Sequence, residues 1–364
     1  TYLNKIDELK LLYLFKQPPI FFQYELDYKS TDFALRSKLK LLLQKNQNKD
    51  FESALRGIFF EIFPNIYLES FENLNNKLKS MVLPKNPKLI FNSNDYVENE
   101  IFKLYCAKKV ENSKYIIGQH GCNYGSSRYQ NDQMYVLKTA DKFITWGWYK
   151  NEKTVRGFLF PKLTPTKKKG KKITYMIRFI TPHWRTYDLH HELENEFNDD
   201  FNLIRGFNEN IKKNLQIKMH HGDGRFFDFN TKLRWLNQFP NIKLVNTKAN
   251  FNKFKKNSKL FIFNFESTGF LQLININFPC LMVLRNFDGQ KDDQYKKYYE
   301  YLIKAKILHF NNDSLIEHLN EVESNVNEWW NLPNTQDNLK EYVKIFANNI
   351  NSSPQDLKKI LLKI

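Results

Sequence analysis

Short apolar segments with the length of β-strands alternate with helical segments along most of this chain. A strand candidate at residues 89–91 is followed by a helix candidate at residues 97–109 and a second strand at residues 115–117. Strands joined by helical crossovers lie parallel in one sheet, so this β-α-β unit predicts a doubly wound α/β fold. Later strand candidates are residues 173–179, 215–219, 242–244, 260–263, 280–284 and 307–308, with helical stretches at residues 189–207, 231–238, 295–304 and 314–330.

The chain is long enough for two domains, since 364 residues exceed the size at which a single core keeps growing. Helical spacing over residues 6–83 predicts packed helices before the first strand. The lysine-rich segment at residues 161–172 has the composition of a linker. We therefore predict a first domain at residues 1–160, a second at residues 173–335, and C-terminal helices at residues 336–364 that pack back on the first domain.

Net charge limits the classes of partner. A formal charge of +17 favours anionic partners such as nucleic acid, anionic lipid head groups or phosphorylated substrates. A coding bias toward A·T-rich codons would also raise the lysine content. No apolar run approaches the roughly 18 residues that span a bilayer. The first residues lack a signal-peptide pattern, and the three cysteines match neither a zinc site nor a disulfide framework, so the expectation is a cytoplasmic protein.

The strongest catalytic signal is residues 118–125, which read Gly-Gln-His-Gly-Cys-Asn-Tyr-Gly and directly follow a strand candidate. Loops at strand ends of α/β sheets carry chemistry, and the glycines allow a turn and close approach of a ligand. His120 is the candidate general base, because imidazole titrates close to neutral pH. Asp95, or alternatively Glu98 or Glu100, would orient or replace it, unless these are only helix-start carboxylates. In the same loop, Gln119 is predicted to take part in catalysis. The residues predicted to contact the acceptor are Gly121, Asn123 and Tyr124.

Phosphate binding is predicted after the strand at residues 260–263. The chain has neither a dinucleotide-binding G-x-G-x-x-G nor a Walker A sequence. Instead, Glu266, Ser267, Thr268 and Gly269 open a predicted helix, whose free N–H groups and dipole favour an anion. The alternative interpretation is an ordinary Ser or Thr helix cap.

Two further basic clusters follow strands of the second predicted domain. His220, His221 and Arg225 come after residues 215–219, and Arg178 and Arg185 come at and beyond the end of residues 173–179. Such side chains suit bidentate phosphate contact, although a solvated basic loop is the other interpretation. Adjacent histidines on an extended segment point in opposite directions, so no metal site is predicted.

The motifs described above resemble a family of bacterial surface-polysaccharide and O-antigen transferases over residues 90–347. The likeness is carried by residues 118–121, 124–125, 140–148, 267–272 and 277–279, with Trp329, Trp330 and Gln336. A more distant similarity extends to CDP-glycerol glycerophosphotransferases and to transferases that use CMP-activated Kdo or sialic acid. Gly222 stands where the distant relatives usually have Pro, and Ser267-Thr268 replaces a Ser-Ser pair.

The resemblance implies an α/β fold of GT-B type, in which two Rossmann-like domains face each other across a cleft, here with extra N-terminal helices. It also implies that His120 acts on the acceptor while His220 or His221, Ser267 and Thr268 hold the donor phosphates.

The function predicted is a metal-independent glycosyltransferase. It moves a sugar, such as Kdo or another CMP-activated nonulosonic acid, from a nucleotide donor to a glycan or lipid-linked acceptor in capsule, lipopolysaccharide or O-antigen synthesis. We expect no cofactor, no nucleic-acid partner, and peripheral contact with the anionic inner face of the bacterial inner membrane. The alternative is a CDP-alditol phosphotransferase of the teichoic-acid type. A noncatalytic nucleic-acid-binding protein is the less favoured class, since it depends on charge alone.

Overall fold

The computed structural model describes residues 1–19, 33–44, 51–166, 170–178, 193–220, 230–245 and 251–364. The strands are β1 (Leu89–Asn92), β2 (Lys114–Gly118), β3 (Lys142–Thr145), β4 (Thr154–Arg156), β5 (Lys172–Met176), β6 (Leu215–Lys218), β7 (Lys243–Val245), β8 (Ser258–Phe263), β9 (Cys280–Val283) and β10 (Leu308–His309). The first helices are α1 (Lys5–Leu14), α2 (Phe33–Gln44), α3 (Phe51–Ile62), α4 (Phe71–Ser80), α5 (Asp95–Glu98), α6 (Glu100–Lys109) and α7 (Asn131–Thr139). The later helices are α8 (Leu193–Gly206), α9 (Glu209–Asn214), α10 (Thr231–Gln238), α11 (Phe251–Asn257), α12 (Thr268–Asn275), α13 (Phe287–Gln290), α14 (Asp293–Lys304), α15 (Asn312–Val322), α16 (Val326–Trp330), α17 (Pro333–Phe346) and α18 (Pro354–Lys363).

The larger sheet has six strands in the order β10-β9-β8-β5-β6-β7. All five neighbouring pairs are parallel, with Tyr175 of β5 opposite Ile217 of β6 and Ile262 of β8. The chain runs outward from β5 to β7 and then returns to the other side of β5 to form β8. The strand order therefore reverses between β5 and β8, and ligands of doubly wound sheets bind at the carboxyl ends of the strands at such a point.

The central strands of this sheet are covered on both faces. Residues Leu260–Phe263 of β8 and all four residues of β9 are buried, which explains why these segments read as continuous apolar runs rather than alternating ones. The predicted α/β class is confirmed.

The smaller sheet has four strands in the order β1-β2-β3-β4, and β3 pairs in parallel with β4. The helix predicted at residues 97–109 is interrupted, because Asn99 adopts an extended conformation and caps α6 through its side chain, which accepts from the N–H of Phe102. Strand β4 and helix α7 were absent from the sequence prediction.

The described residues form two compact units. The first contains residues 16–116 together with Thr1, and the second contains residues 2–15 and 117–364. Helix α1 belongs to the second unit. In the first unit, Arg36 of α2 contacts the region of α3 and α4. Its guanidinium pairs with Glu69 and donates to the carbonyls of Phe60 and Phe63. The helices predicted before the first strand are thereby confirmed.

The second unit joins the first helix of the chain to its last helix. Helix α1 packs against α18, and Lys358 Nζ donates to the carbonyl of Leu14 at 3.0 Å. After α17, the N–H of Asn348 donates to the carbonyl of Trp146, and the carbonyl of Asn348 accepts from the N–H of Leu159, both at 2.9 Å. The C-terminal helices thus contact residues of the predicted first domain. The predicted linker at residues 161–172 lies inside this unit, and that boundary stays a prediction.

Among the helices of the described residues, none is both long enough and apolar enough to cross a membrane.

Candidate functional site

The loop that carries His120 is fixed by the side chain of Gln119. Its carbonyl oxygen accepts from the N–H of Trp146 and from the indole of Trp148, both at 2.9 Å, and its amide donates to the carbonyl of Gly121 at 2.7 Å. Gln119 is 1% exposed. These hydrogen bonds hold the turn in which His120 lies, and the catalytic role of Gln119 stays a prediction. His120 itself is half-exposed at the end of β2.

The second half of this loop turns under a tryptophan ring. Asn123 and Gly125 have φ values of 69° and 74°, and a Cβ on Gly125 would overlap the ring of Trp148. The carbonyl of Asn123 accepts from the N–H of Ser127 at 2.9 Å. Tyr124 is buried, with its ring 5.6 Å from that of Phe143. Tyr124 therefore packs in the core, which differs from the acceptor contact that the sequence predicted.

The predicted phosphate loop opens helix α12. Ser267 is extended, and its hydroxyl accepts from the N–H of Phe270 at 3.0 Å, so the ordinary cap interpretation is correct for this residue. Thr268 and Gly269 follow as the first two residues of the helix. Their N–H groups belong to the four that a helix leaves without intrahelical partners, and the helix dipole adds positive potential there. This end of α12 can therefore receive an anion.

The two predicted loops are in direct contact. The N–H of Cys122 donates to Thr268 Oγ1 at 3.2 Å, and the Cys122 thiol donates to the carbonyl of Glu266 at 3.4 Å. A Cβ built on Gly121 would lie 3.8 Å from Thr268 Oγ1, which is ordinary van der Waals contact. The turn that follows His120 thus lies against the N-terminus of α12.

Tyr2 also lies at this site, although no sequence motif predicts it. Its ring lies 4.8 Å from that of His120 at an interplanar angle of 27°, and 6.2 Å from that of Trp146. Burial raises the pKa of the Tyr2 phenol, the neighbouring Cys122 thiol raises it further, and a hydrogen bond with Thr268 acts in the opposite direction. Tyr2 belongs to no motif of the sequence, and its segment is held by the packing of α1 on α18 and by the rings of His120 and Trp146.

Glu266 lies beneath the contact between the loops. Its buried carboxylate forms an ion pair with the buried Lys291 and accepts from the hydroxyls of Tyr299 at 2.7 Å and Ser126 at 3.3 Å. Tyr342 donates to the other carboxylate oxygen at 3.4 Å. Burial, and next the Glu266 carboxylate, raise the pKa of the Tyr299 phenol well above its ordinary range. The sequence predicted that Glu266 contacts the donor. In the structure its carboxylate instead joins the phosphate loop to α14 and α17.

Arg178 follows β5 at the point where the strand order reverses. Its N–H donates to Asn264 Oδ1 at 3.1 Å, and its guanidinium pairs with Glu196. Asn264 comes directly after β8, so the predicted donor-binding Arg178 lies beside the segment that leads to Ser267. His220 comes two residues after β6 and is half-exposed. Arg185, His221 and Arg225 lie outside the described residues.

A buried network supports the same edge of the sheet, and the sequence analysis did not find it. Asp200 accepts from the Tyr175 hydroxyl at 2.6 Å, from the Asn264 amide at 2.8 Å and from Arg285 at 3.0 Å. Burial raises the pKa of the Asp200 carboxyl, while Arg285 opposes that shift. The network ties the ends of β5, β8 and β9 together.

Asp95 belongs to the first unit. Its carboxylate accepts from the amides of Asn92 and Asn99, and its N–H donates to Asn92 Oδ1 at 2.7 Å. These contacts are those of a residue that begins a helix, and the catalytic role of Asp95 stays a prediction.

Among the described residues no group of three or more histidine, cysteine, aspartate or glutamate side chains is arranged to hold a metal ion. None of the three cysteines forms a disulfide bond; Cys106 and Cys280 are buried, and Cys122 is half-buried.

Comparison with known proteins agrees with the transferase resemblance. A family model described as LIC12162 family transferase matches residues 1–361. No protein with a curated description matches the chain.

One similar solved structure is TarM, which is 11% identical to this chain; the match covers 80% of this chain and 58% of TarM, with a TM-score of 0.47. Another is the wall teichoic acid polymerase TagF, which is 13% identical; the match covers 70% of this chain and 68% of TagF, with a TM-score of 0.39. A third is MnaA of S. aureus, solved with UDP, which is 12% identical; the match covers 98% of this chain and 85% of MnaA, with a TM-score of 0.45. The chain thus spans just over half the length of TarM. Likenesses at this level of identity and TM-score do not identify a function.

Proposed function

This chain belongs to the LIC12162 family of transferases, and we propose that it is a glycosyltransferase that moves a sugar from a nucleotide donor to a cell-surface glycan or lipid-linked acceptor. The observation that carries the proposal is the hydrogen bond between Cys122 and Thr268. It joins the turn after the candidate base His120 to the helix end that can receive donor phosphates. A base and an anion site at one place are what transfer from a phosphate leaving group requires.

The donor phosphates would lie on the N–H groups of Thr268 and Gly269. Fixed N–H donors at a helix N-terminus stabilise the negative charge that develops on the leaving phosphate without having to reorganise. Arg178 lies beside Asn264 at the reversal of strand order, where it would add a cation. Because Glu196 already pairs with this guanidinium, Arg178 is held in place but also partly neutralised.

The acceptor would approach from the side of His120. In the proposed step, the acceptor oxygen forms a bond to the anomeric carbon of the sugar while the bond from that carbon to the donor phosphate breaks. The acceptor proton passes to the imidazole of His120, and the bonding electron pair leaves with the phosphate. Gln119 holds the turn around His120, and the stacked Tyr2 ring restricts the orientation of the imidazole, which favours a productive geometry.

The finer parts of the proposal are a CMP-activated donor such as Kdo, transfer without a metal, and contact with the inner face of the inner membrane. The net charge of +17 supports the last of these, since anionic lipids attract basic surfaces. The phosphate site supports metal independence, because its helix N-terminus and arginine provide positive potential from the protein itself.

A thermal-shift screen with CMP, CDP, UDP, GDP and TDP tests the donor class. A nucleotide that binds only the folded state adds about 2.7 kcal/mol to its stability at a hundred times its Kd. We expect one nucleotide to raise the melting temperature, and Arg178→Met to reduce that rise. No shift with any of the five would contradict a nucleotide donor.

His120→Ala tests the base. With donor and acceptor present, we expect transfer to fall by about 10²-fold to 10⁴-fold, while the nucleotide-induced shift stays as in the wild type. Arg178→Met serves as the matched contrast, because it should weaken the shift as well as transfer. Undiminished transfer by His120→Ala would refute the assignment of the base. Release of an alditol phosphate instead of a sugar would make the chain a phosphotransferase.

A further inference from the structure

Tyr2 contacts both halves of the candidate site. Its ring is stacked on the imidazole of His120 with 4.8 Å between centroids. Its phenol shares a hydrogen bond with the Thr268 side chain, which opposes the rise that burial gives to the pKa of the phenol. Trp146, which is fully buried, lies nearly parallel to the Tyr2 ring at 6.2 Å and an angle of 5°. One side chain therefore touches the candidate base and the candidate phosphate loop.

The backbone that carries Tyr2 is firmly anchored. Leu3 is buried, and the Asn4 side chain caps α1 by accepting from the N–H of Asp7 at 2.9 Å. Helix α1 then packs on α18, where Lys358 donates to the carbonyl of Leu14. Both helices belong to the second unit, which also contains the site. The burial of Leu3 and the packing of α1 thus hold the backbone next to Tyr2 in place.

We propose that Tyr2 is a positioning residue for the transfer reaction, whose ring fixes the plane of the His120 imidazole and whose hydroxyl orients Thr268 toward the donor phosphates. This inference rests on the proposed glycosyltransferase function. The ring and the hydroxyl act on different substrates, so their effects separate. The ring affects the step in which His120 takes the acceptor proton, and the hydroxyl affects donor binding.

The ring contribution follows from the geometry of stacking. An offset stacked aromatic pair has a preferred separation and angle, so the imidazole loses its freedom to tilt about its side-chain bonds. A general base acts only when its nitrogen points at the proton to be removed, and small misplacements are costly. The hydroxyl contribution follows from Thr268, whose Oγ1 already accepts from Cys122 and is oriented further by Tyr2.

The test compares Tyr2→Phe with Tyr2→Leu, with Tyr13→Leu as the control, because Tyr13 lies in α1 and is 83% exposed. Tyr2→Phe keeps the ring, so we expect kcat within about twofold of the wild type and a several-fold higher KM for the donor. Tyr2→Leu should lower kcat by about tenfold or more and raise the same KM. Tyr13→Leu should change neither.

Several results would overturn the inference. If Tyr2→Leu retains or exceeds the wild-type kcat, the ring does not position the base, and an increase would show that it obstructs the site. If Tyr2→Phe loses as much kcat as Tyr2→Leu, or leaves the donor KM unchanged, the division between ring and hydroxyl is wrong. Melting temperatures of all variants identify any loss that comes from unfolding.

A second readout does not depend on activity. NMR spectra of protein with labelled histidine show the His120 ring signals, which are assigned by their absence in His120→Ala. These signals should carry the ring-current shift that the stacked Tyr2 ring causes. Tyr2→Phe should keep that shift and Tyr2→Leu should lose it, and unchanged signals in Tyr2→Leu would contradict the stacking. Absence of transfer by the wild type would instead refute the proposed function, and with it the catalytic part of this inference.

Discussion

The N–H of Cys122 donates a hydrogen bond of 3.2 Å to Thr268 Oγ1, although the two residues are 146 positions apart in the chain. This contact ties a turn at the end of β2 to the first residue of α12. It places the loop of the candidate base next to a helix end that favours anions. Because both loops belong to the same compact unit, the pair can be tested as one site.

Capping and donor binding can be separated by two serine variants. Ser267 caps α12, and Ser353 caps α18 in a reciprocal arrangement with Asp356. Ser267→Ala and Ser353→Ala should each lower the free energy of unfolding by about 1 kcal/mol. Only Ser267→Ala should raise the donor KM, since only its helix faces the site. Equal donor KM values in the two variants, measured by steady-state kinetics, would argue against phosphate binding at α12.

The ion pair of Glu266 and Lys291 should be important for stability. Both side chains are almost fully buried, so Glu266→Gln leaves the ammonium of Lys291 without a counter-charge. We expect a loss of about 3–5 kcal/mol in the free energy of unfolding, measured with urea. The double variant Glu266→Gln with Lys291→Met should recover part of it. Asp337→Asn removes the exposed partner of Lys340 and should cost about 0.5 kcal/mol or less. A similar small loss in Glu266→Gln would show that this pair does not hold the loop.

Gly125 is required by the turn beneath Trp148. Its φ of 74° and the lack of space for a Cβ predict that Gly125→Ala lowers the free energy of unfolding by about 1–3 kcal/mol and reduces transfer. Gly57 has open space around it in helix α3, so Gly57→Ala should leave transfer unchanged and add about 0.5–1 kcal/mol. Denaturation of both variants checks this, and a Gly125→Ala protein as stable and active as the wild type would refute the packing argument.

Stability should fall in mild acid because of His309. Burial, and next the neighbouring His318, lower the pKa of His309 from 6.5 to about 4. The ring is held as a neutral imidazole, since Nε2 donates to the carbonyl of Lys306 and Nδ1 contacts the Ser314 hydroxyl at 2.8 Å. Below pH 6.5, His309 is protonated in the unfolded chain but stays neutral in the folded protein until the pH approaches 4. Stability is therefore complete above about pH 6.5 and falls by about 3 kcal/mol as pH drops to 4.

Unfolding in urea at a series of pH values measures this dependence. His309→Gln, which can still donate to Lys306 and accept from Ser314, should flatten the decline between pH 6.5 and 4. An equally steep decline in His309→Gln would assign the effect to other groups.

The sequence predicted those elements whose signal is local. Continuous apolar runs such as β8 and β9 were found with nearly correct bounds, because strands buried on both faces have no polar positions. Helix α12 was predicted from its serine cap and was confirmed. The helix around Asn99 was predicted as continuous, because a single capping side chain inside a helical pattern leaves little trace. Strand β4 has only three residues and is stabilised by its pairing with β3.

The candidate site was predictable only in part. His120, Ser267 and Thr268 follow strands or begin a helix, so their positions can be inferred from the chain itself. The roles of Gln119, Tyr124 and Glu266 could not be inferred, because the direction in which these side chains point depends on Trp148, Phe143 and Lys291, which come from distant segments. Tyr2 and the Asp200–Arg285 pair were missed for the same reason.

The most direct test of the whole account is a crystal structure of the protein with the nucleotide that stabilises it most. We expect the phosphates to lie on the N–H groups of Thr268 and Gly269, with the sugar-bearing phosphate facing the loop of His120. Phosphates bound elsewhere in the chain, with the N-terminus of α12 left to solvent, would contradict the account.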